Sequence, residues 1–429
     1  MGEGNKDKRK KKKRGGAKRR MTAEQTLALK YVNEWVHLAQ PQVDDSGKGD
    51  DFLPEMVGRA TVSDKVVFEL HSHSFCSDGF LSPSALVEKA HQNGVKVLAL
   101  TDHDTLSGIP EALDAARKFD IKIIPGVEIS TVFSTRQKFE LINREDPESE
   151  EPVHILAYYS SYGPARFEEF DKFLENIRDG RYLRAKNMLL KLNMLKMPLK
   201  WEHVTRIAGN GVAPGRLHVA RALVEAGHVE DLKQAFARYL YDGGPAYSKG
   251  REPSAEDAVQ MVCKSGGVAV LAHPWALKNP LRIVKRLKEA GLHGIEVYRS
   301  DGKLAVFSDM ADAYGLVKLG GSDYHGKGGH GESPLGSVSL PVLAAHDFLR
   351  LARPIWLDAI RDILKQYVSD PSEQNLEHVT RFGKPIVTKG NNSRKDLVYR
   401  SLSTWLTKEE MQHEDLKAIM LRLSDVALK

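Results

Sequence analysis

Between residues 66 and 320, short β-rich apolar runs alternate with segments whose apolar residues recur at helical spacing. The runs are Val66–Leu70, Val95–Leu100, Ile121–Pro125, Val153–Tyr159, Val268–Ala272, Gly294–Tyr298 and Leu316–Gly320. Helices are predicted at Pro83–Asn93, Ile109–Phe119, Ala255–Ser265 and Leu281–Ala290. Strands that alternate with helices predict parallel pairing through crossover helices. Seven such runs predict an α/β protein with a barrel or barrel-like closed sheet. No GxGxxG follows the first run, which argues against an open dinucleotide-binding sheet.

The rhythm is interrupted over 164–255, where the pattern predicts helices at Phe167–Asn193, Trp201–Ala208, Gly215–Ala226 and Asp231–Tyr241. This segment reads as a helical insertion covering one end of the barrel. Residues 143–152 form an acidic loop. Before the first strand, residues 21–40 predict a short helix with Leu27, Leu29, Val32, Trp35 and Val36 as its apolar stripe, and 41–62 read as linker. The expected division is a basic tail and short helix over 1–62, a barrel with its insertion over 63–345, and a C-terminal helical extension over 346–429.

Composition narrows the class. A chain of 429 residues with 41% hydrophobic content can bury a large core. No apolar run reaches the ~20 residues of a bilayer span. The two cysteines, Cys76 and Cys263, exclude a disulfide scaffold and form no CxxC metal pair. The +6 formal charge is concentrated at one end. Residues 1–20 carry eleven Lys/Arg against two acids, a net +9, which leaves −3 for the remainder. The globular part therefore offers no support for a long duplex-binding face. Residues 6–20 read either as an address for a nuclear import factor, as a nucleic-acid-binding arm, or as a solvated, disordered leader. A nuclear or a cytoplasmic location is expected.

Histidines and carboxylates gather where the runs end. His71 and His73 form an HxH after the first run, and alternate residues of a strand point to the same face. Asp78 follows in a Ser-Asp-Gly turn, His103 lies in TDHDT, Glu128 in GVEIS, His273 in LAHP, and Asp323 and His325 in GSDYH. His154 starts its run, so that strand is expected to run differently or to lack the preceding helix. The C-terminal ends of parallel barrel strands share one face, where distant residues converge. Imidazole and carboxylate together suit Mn, Fe or Zn. Cys76 is read as packing or as a softer auxiliary ligand.

In order, HSHSFCSDG, TDHDT, GVEIS, the His of HILAYY, LAHP and GSDYH resemble the motifs of the PHP (polymerase and histidinol phosphatase) family over about residues 64–340. The resemblance implies a distorted seven-stranded (β/α) barrel holding two or three divalent metals. Its ligands here would be His71, His73, Asp78, His103, Glu128, His154, His273, Asp323 and His325. The implied grouping is His71, His73, Glu128 and Asp323 on one ion; Glu128, His154 and His273 on a second; Asp78, His103 and His325 on a third. Asp102 would orient a ligand or cap the next helix.

The insertion resembles that of the family's nucleoside 3′,5′-bisphosphate phosphatase branch, which also includes short-RNA 5′-exonucleases. Arg216, His218 and Arg221 are its candidate phosphate-binding residues, because arginine clamps phosphate bidentately. The implied activity is hydrolysis of nucleotide phosphomonoesters by metal-activated hydroxide, with 5′-to-3′ trimming of short oligonucleotides as a variant. The alternatives are a histidinol-phosphate-type phosphatase and a nucleic-acid-associated scaffold.

Overall fold

The computed structural model describes residues 21–38, 66–134, 150–209, 212–241, 243–328, 331–382 and 394–426. The basic tail, the 41–62 linker and residues 143–149 of the acidic loop lie outside them, whereas Glu150–Pro152 belong to a strand.

Eight strands form one sheet: β1 Val67–Glu69, β2 Val95–Leu100, β3 Lys122–Ser134, β4 Glu150–Tyr158, β5 Val268–Leu271, β6 Gly294–Arg299, β7 Gly302–Lys303 and β8 Val317–Gly320. Their order is β1-β2-β3-β4-β5-β6, with β7 and β8 both paired to β6. Each of the seven apolar runs overlaps a strand, and β7 adds a two-residue hairpin strand. The pairing is parallel except at β4 and the short β7: β4, the strand expected from His154 to run differently, is antiparallel to both β3 and β5. An antiparallel neighbour needs no crossover helix, and the polar, acidic 135–149 connection carries no helical apolar pattern. Glu128 is also corrected: it lies within the long β3, beyond the Ile121–Pro125 run, and not after the strand.

The helices are α1 Ala23–Val36, α2 Pro83–Gln92, α3 Ile109–Ala116, α4 Phe167–Met194, α5 Trp201–Ala208, α6 Arg216–Glu225, α7 Leu232–Ala235, α8 Ala255–Lys264, α9 Pro280–Ala290, α10 Ala305–Tyr314, α11 Val342–Ser369, α12 Glu373–Thr380, α13 Arg394–Ser403, α14 Lys408–Met411 and α15 Glu414–Val426. Ser82 and Ser254 start α2 and α8 by accepting from Ala85 N and Asp257 N at 3.1 Å. The predicted 231–241 helix divides into α7 and a π-helical turn, Phe236–Leu240. No described helix is long and apolar enough to cross a membrane.

The strands bury both faces, which is why their sequences read as continuous apolar runs. On one face Leu98, Leu100, Ile123, Ile155 and Leu271 pack on α2, α3, α8 and α9. On the other, Val97, Ala99, Ile124, Leu156, Tyr158 and Val270 pack against Val32 and Trp35 of α1, Phe348 and Trp356 of α11, and Trp405. The stripe of α1 is as expected at Leu29, Val32, Trp35 and Val36, but Leu27 is 70% exposed and Ala28 is buried in its place. Helix α11 runs through the expected 345/346 boundary, and its first half shares the sheet's core. The insertion is rooted by Phe170, Leu174 and Ile177 of α4 in the main core, while the far half of α4 packs with α5–α7 around Met188, Leu192, Val204 and Leu223.

The β1 and β8 edges meet. Ser72 bridges Tyr324, and His73 N donates to Tyr324 O at 2.8 Å. A Cβ on Gly321 would sit 2.4 Å from His71 Cβ, so only glycine allows this approach. Beneath it the buried Glu69 carboxylate accepts from Ser322 N and Gly336 N, each at 2.8 Å.

Candidate metal centre

The two edges that meet at this seam carry the HxH and GSDYH segments. Ser72 lies between the two histidines. Its N–H donates to Thr101 Oγ1 at 3.1 Å and its hydroxyl to Ala99 O at 2.8 Å. His71 and His73 are thereby held on the same side. His103 bridges Glu128 of β3, and β4 runs so that His154 stands opposite Ser130. The antiparallel course of β4 is what brings a histidine from the start of its run to the same end of the sheet. Asp104, His273 and Asp323 adopt left-handed backbone conformations, with φ of 56°, 27° and 51°. Such strain in non-glycine residues collects at functional sites.

All nine sequence-identified side chains come together around Glu128. One Glu128 oxygen is 3.1 Å from Nε2 of His71 and of His73 and 3.5 Å from His103 Nδ1; the other is 2.8 Å from His154 Nδ1 and 2.9 Å from His273 Nε2. Asp323 lies 3.2 Å from His73 Nε2, and Asp78 lies 3.2 Å from His325 Nε2. Three sets have donor atoms close enough to share an ion: His71, His73, Glu128 and Asp323; His73, Asp78, His103 and His325; and His103, Glu128 and His154. The first matches the implied grouping. The other two differ, because His73 joins the Asp78 set and His103 stands with Glu128 and His154, where His273 was expected.

Several of these atoms lack conventional partners. His73 Nδ1 and Nε2, His103 Nδ1 and Asp78 Oδ1 are buried without a well-directed hydrogen bond among the described residues, although Glu128, Asp323 or His325 lies 3.1–3.5 Å from all but His73 Nδ1. Lone pairs and N–H groups buried this way are costly, and a divalent cation among them satisfies both imidazole and carboxylate donors. Burial pulls the His71 imidazole down, but Glu128, Glu296 and Asp323 outweigh it and hold its pKa well above the ordinary value. For His73 burial is likewise outweighed, by Asp323, Glu128 and Asp78, and the pKa is pushed up to about 10. Burial dominates at His103 and drives it down to about 3. An ion that takes the His71 and His73 nitrogens must displace their protons. Binding is therefore expected to release at least one proton at pH 7 and to weaken as pH falls. Calorimetric titration with Mn²⁺ in buffers of different ionisation enthalpy counts those protons, and a count of zero would contradict this electrostatic picture.

Two residues that sequence reading passed over brace the cluster. Glu296, an acid within the apolar β6 run, accepts from His273 N at 2.7 Å and lies 3.1 Å from His71 Nδ1. Asp104 accepts from Ser130 N and from Arg181 Nη1, both at 2.7 Å. Of the two roles expected of Asp102, the helix cap is excluded. Helix α3 starts at Gly108 with no side-chain cap, and Asp102 instead accepts from Ser74 N, Ser74 Oγ and Ser77 Oγ at 2.6–2.7 Å. It holds the loop that joins His73 to Asp78.

A cleft beside the cluster is lined by Cys76, Ser77, His103, Thr105, Arg178, Arg181, Val212 and Ala213. Arg178 and Arg181 were missed, although their i, i+3 spacing puts them on one face of α4. Arg178 donates to Asp104 O at 2.7 Å. His218 is buried at the first turn of α6, and its Nδ1 accepts from Gly215 N at 2.9 Å. Burial, with Arg181, Arg221 and Lys327 nearby, lowers it to about 4. Arg216 is turned to Leu240 O and the Tyr247 ring, and Arg221 lies over the Phe80 ring at 5.1 Å. Cys76 lines the cleft as a free thiol that burial pushes up in pKa.

This fold and this His/carboxylate cluster define a metal-dependent phosphoesterase. The chain belongs to the PHP family, whose PHP domain matches residues 69–240. It is 32% identical over 304 residues to a 3′,5′-nucleoside bisphosphate phosphatase of Chromobacterium violaceum, covering 69% of this chain and 98% of that protein. It is 32% identical to the 5′-3′ exoribonuclease Rnm of Salmonella typhimurium, covering 61% of this chain and 85% of the relative. Among solved structures, a Bifidobacterium adolescentis protein described as a metal-dependent phosphoesterase superposes with a TM-score of 0.54 at 28% identity, covering 66% of this chain and 95% of that one.

Proposed function

We propose that this enzyme hydrolyses phosphomonoesters of nucleotides, nucleoside 3′,5′-bisphosphates among them, and trims short 5′-phosphorylated oligonucleotides. In this reading the nine residues from His71 to His325 hold two or three divalent ions of Mn, Fe or Zn. They do so at the strand ends of a distorted seven-stranded barrel closed along the β1–β8 seam. The α4–α7 insertion covers that end, and α1 and the C-terminal helices cover the other.

The observation that carries the proposal is the basic cleft beside the orphaned donor cluster. Bound divalent ions would supply an acidified water and neutralise phosphoryl oxygens. In this reading the chain's own groups would bind a second phosphate, the one not cleaved. Arg178 and Arg181 line the cleft with the planar donors that suit phosphate, each using Nη1 on Asp104 and keeping other guanidinium N–H groups for a ligand. His218 is neutral at pH 7. Its Nδ1 accepts a backbone hydrogen bond, so its proton is on Nε2, which donates. Arg221 and Lys327 add positive charge near His218. The relatives' names, a bisphosphate phosphatase and an exoribonuclease, fit such a cleft. The cationic end of a histidinol-type substrate would meet like charge.

The test is phosphate release from adenosine 3′,5′-bisphosphate, AMP and a short 5′-phosphorylated RNA with Mn²⁺, on wild type and His103→Ala. Release that the variant loses, ranked with the bisphosphate or the RNA above AMP, is the expected result. No release from any of the three by metal-loaded protein would sink the nucleotide reading.

A further inference from the structure

The loop after Asp323 is closed by an acid with no part in the cluster. The N–H groups of His325, Gly326 and Lys327 donate to one oxygen of Glu332 at 2.8, 2.7 and 3.3 Å, and that of Gly328 to the other at 2.9 Å. Gly326 and Gly328 have φ of 77° and 69°, whereas His325 and Lys327 do not adopt positive φ. This alternation turns successive N–H groups toward one point and builds an anion-binding nest. The nest is occupied by the chain's own carboxylate. Burial pushes the pKa of Glu332 up, but the four backbone donors prevail and keep it low.

His325 is fixed from both sides. Its N–H is held by Glu332, and its carbonyl accepts from Phe80 N at 2.7 Å. With this backbone set, and with its Nδ1 2.9 Å from Asp323 O, the ring stacks on His73, centroids 4.4 Å apart, with Nε2 at 3.2 Å from Asp78. Lys327, two residues on, contributes positive charge at His218 of the insertion.

We infer that Glu332 is a positioning residue: by filling the nest it sets His325 against Asp78 and His73, and the ion affinity of the His73, Asp78, His103 and His325 set depends on it. The inference rests on the reading that this set holds an ion. Only an anion satisfies the nest. Glutamine would turn an amide N–H₂ toward a backbone donor, and aspartate is one methylene too short to reach from position 332.

The experiment is titration of chelator-stripped wild type, Glu332→Ala and Glu332→Gln with Mn²⁺, each with and without added formate, with folding checked by circular dichroism. Both variants are expected to lose roughly 10- to 100-fold affinity at one site, as when the partner of a metal-ligating histidine is removed. Formate should restore binding in Glu332→Ala, where the nest is vacant, and not in Glu332→Gln, where it is filled. Wild-type affinity in the variants would overturn the inference. A loss in folded Glu332→Ala that formate does not repair would overturn it too, since the anion would not be the agent. If Glu332→Ala does not fold, unchanged affinity in Glu332→Gln overturns it alone. Wild type that binds no Mn²⁺ would instead refute the metal reading beneath it.

Discussion

Glu128→Gln is expected to lower kcat/KM on a phosphoester by more than about a hundredfold and to reduce the metal content of the purified protein, with the fold intact. The scale follows from what weaker changes do. Removing even a group that merely orients a metal ligand costs 10- to 100-fold, whereas Glu128 touches five imidazoles directly, at 2.8–3.5 Å. Burial pushes its pKa up, but His103, His71 and His154 outweigh this and hold it well below the carboxylate range, so the group is an anion at every working pH. Glutamine matches its volume and keeps one acceptor, but it removes the charge that two donor sets share. Its amide would also present N–H groups where cations or imidazole N–H groups already point. Elemental analysis and steady-state kinetics on the same preparation check both halves. Full metal content with activity within tenfold of wild type would remove Glu128 from the centre of the site.

How much of this was legible in sequence depends on which interactions are local. The HxH, TDHDT and GSDYH segments were readable because each puts its donors within a few residues of a strand end, where period-two geometry and strand polarity fix their direction. His154 resisted the same logic until β4 proved antiparallel. A residue at the start of an antiparallel strand lies beside residues at the ends of its parallel neighbours. The supporting residues were not readable, for a different reason. Glu296 looks like any acid in a strand, and it is recognised only when β6 brings it to His71. Arg181 and Asp104 are 77 positions apart and meet through the docking of α4. On the substrate side one motif singled out Arg216 and His218, whereas Arg178 and Arg181, which line the cleft, belong to no motif and are brought there by the docking of α4.

At the opposite end of the sheet, Lys122 should make stability rise with pH. Its ammonium is buried where β3 begins. It donates to Trp35 O at 2.6 Å and Thr404 O at 2.9 Å, and lies 4.3 Å over the Trp35 ring. It thus ties α1 and the C-terminal helices to the strand. Burial, with Arg353 adding to it, pushes its pKa down to about 7, against about 10.4 in the unfolded chain. Between those values the unfolded state binds more protons, so unfolding free energy increases with pH, by at most about 1.4 kcal/mol per unit. The cluster histidines act the other way in metal-free protein. The pKa of His73, about 10 in the fold, makes the native state the better proton binder above pH 6.5. The two effects separate by subtraction. Denaturant unfolding of wild type and Lys122→Met, both metal-loaded, from pH 7 to 10 should give a wild-type-minus-variant stability that climbs by a few kcal/mol, because the histidines contribute equally to both. The climb ends near pH 10, about where the unfolded lysine itself loses its proton; Tyr158, Tyr159 and Tyr162, whose pKa values burial raises, cancel in the same subtraction. A flat difference across that range would mean that the two carbonyls and the indole ring keep Lys122 charged as readily as water does, and the clasp between α1, β3 and the Thr404 turn after α13 would then carry no penalty at neutral pH.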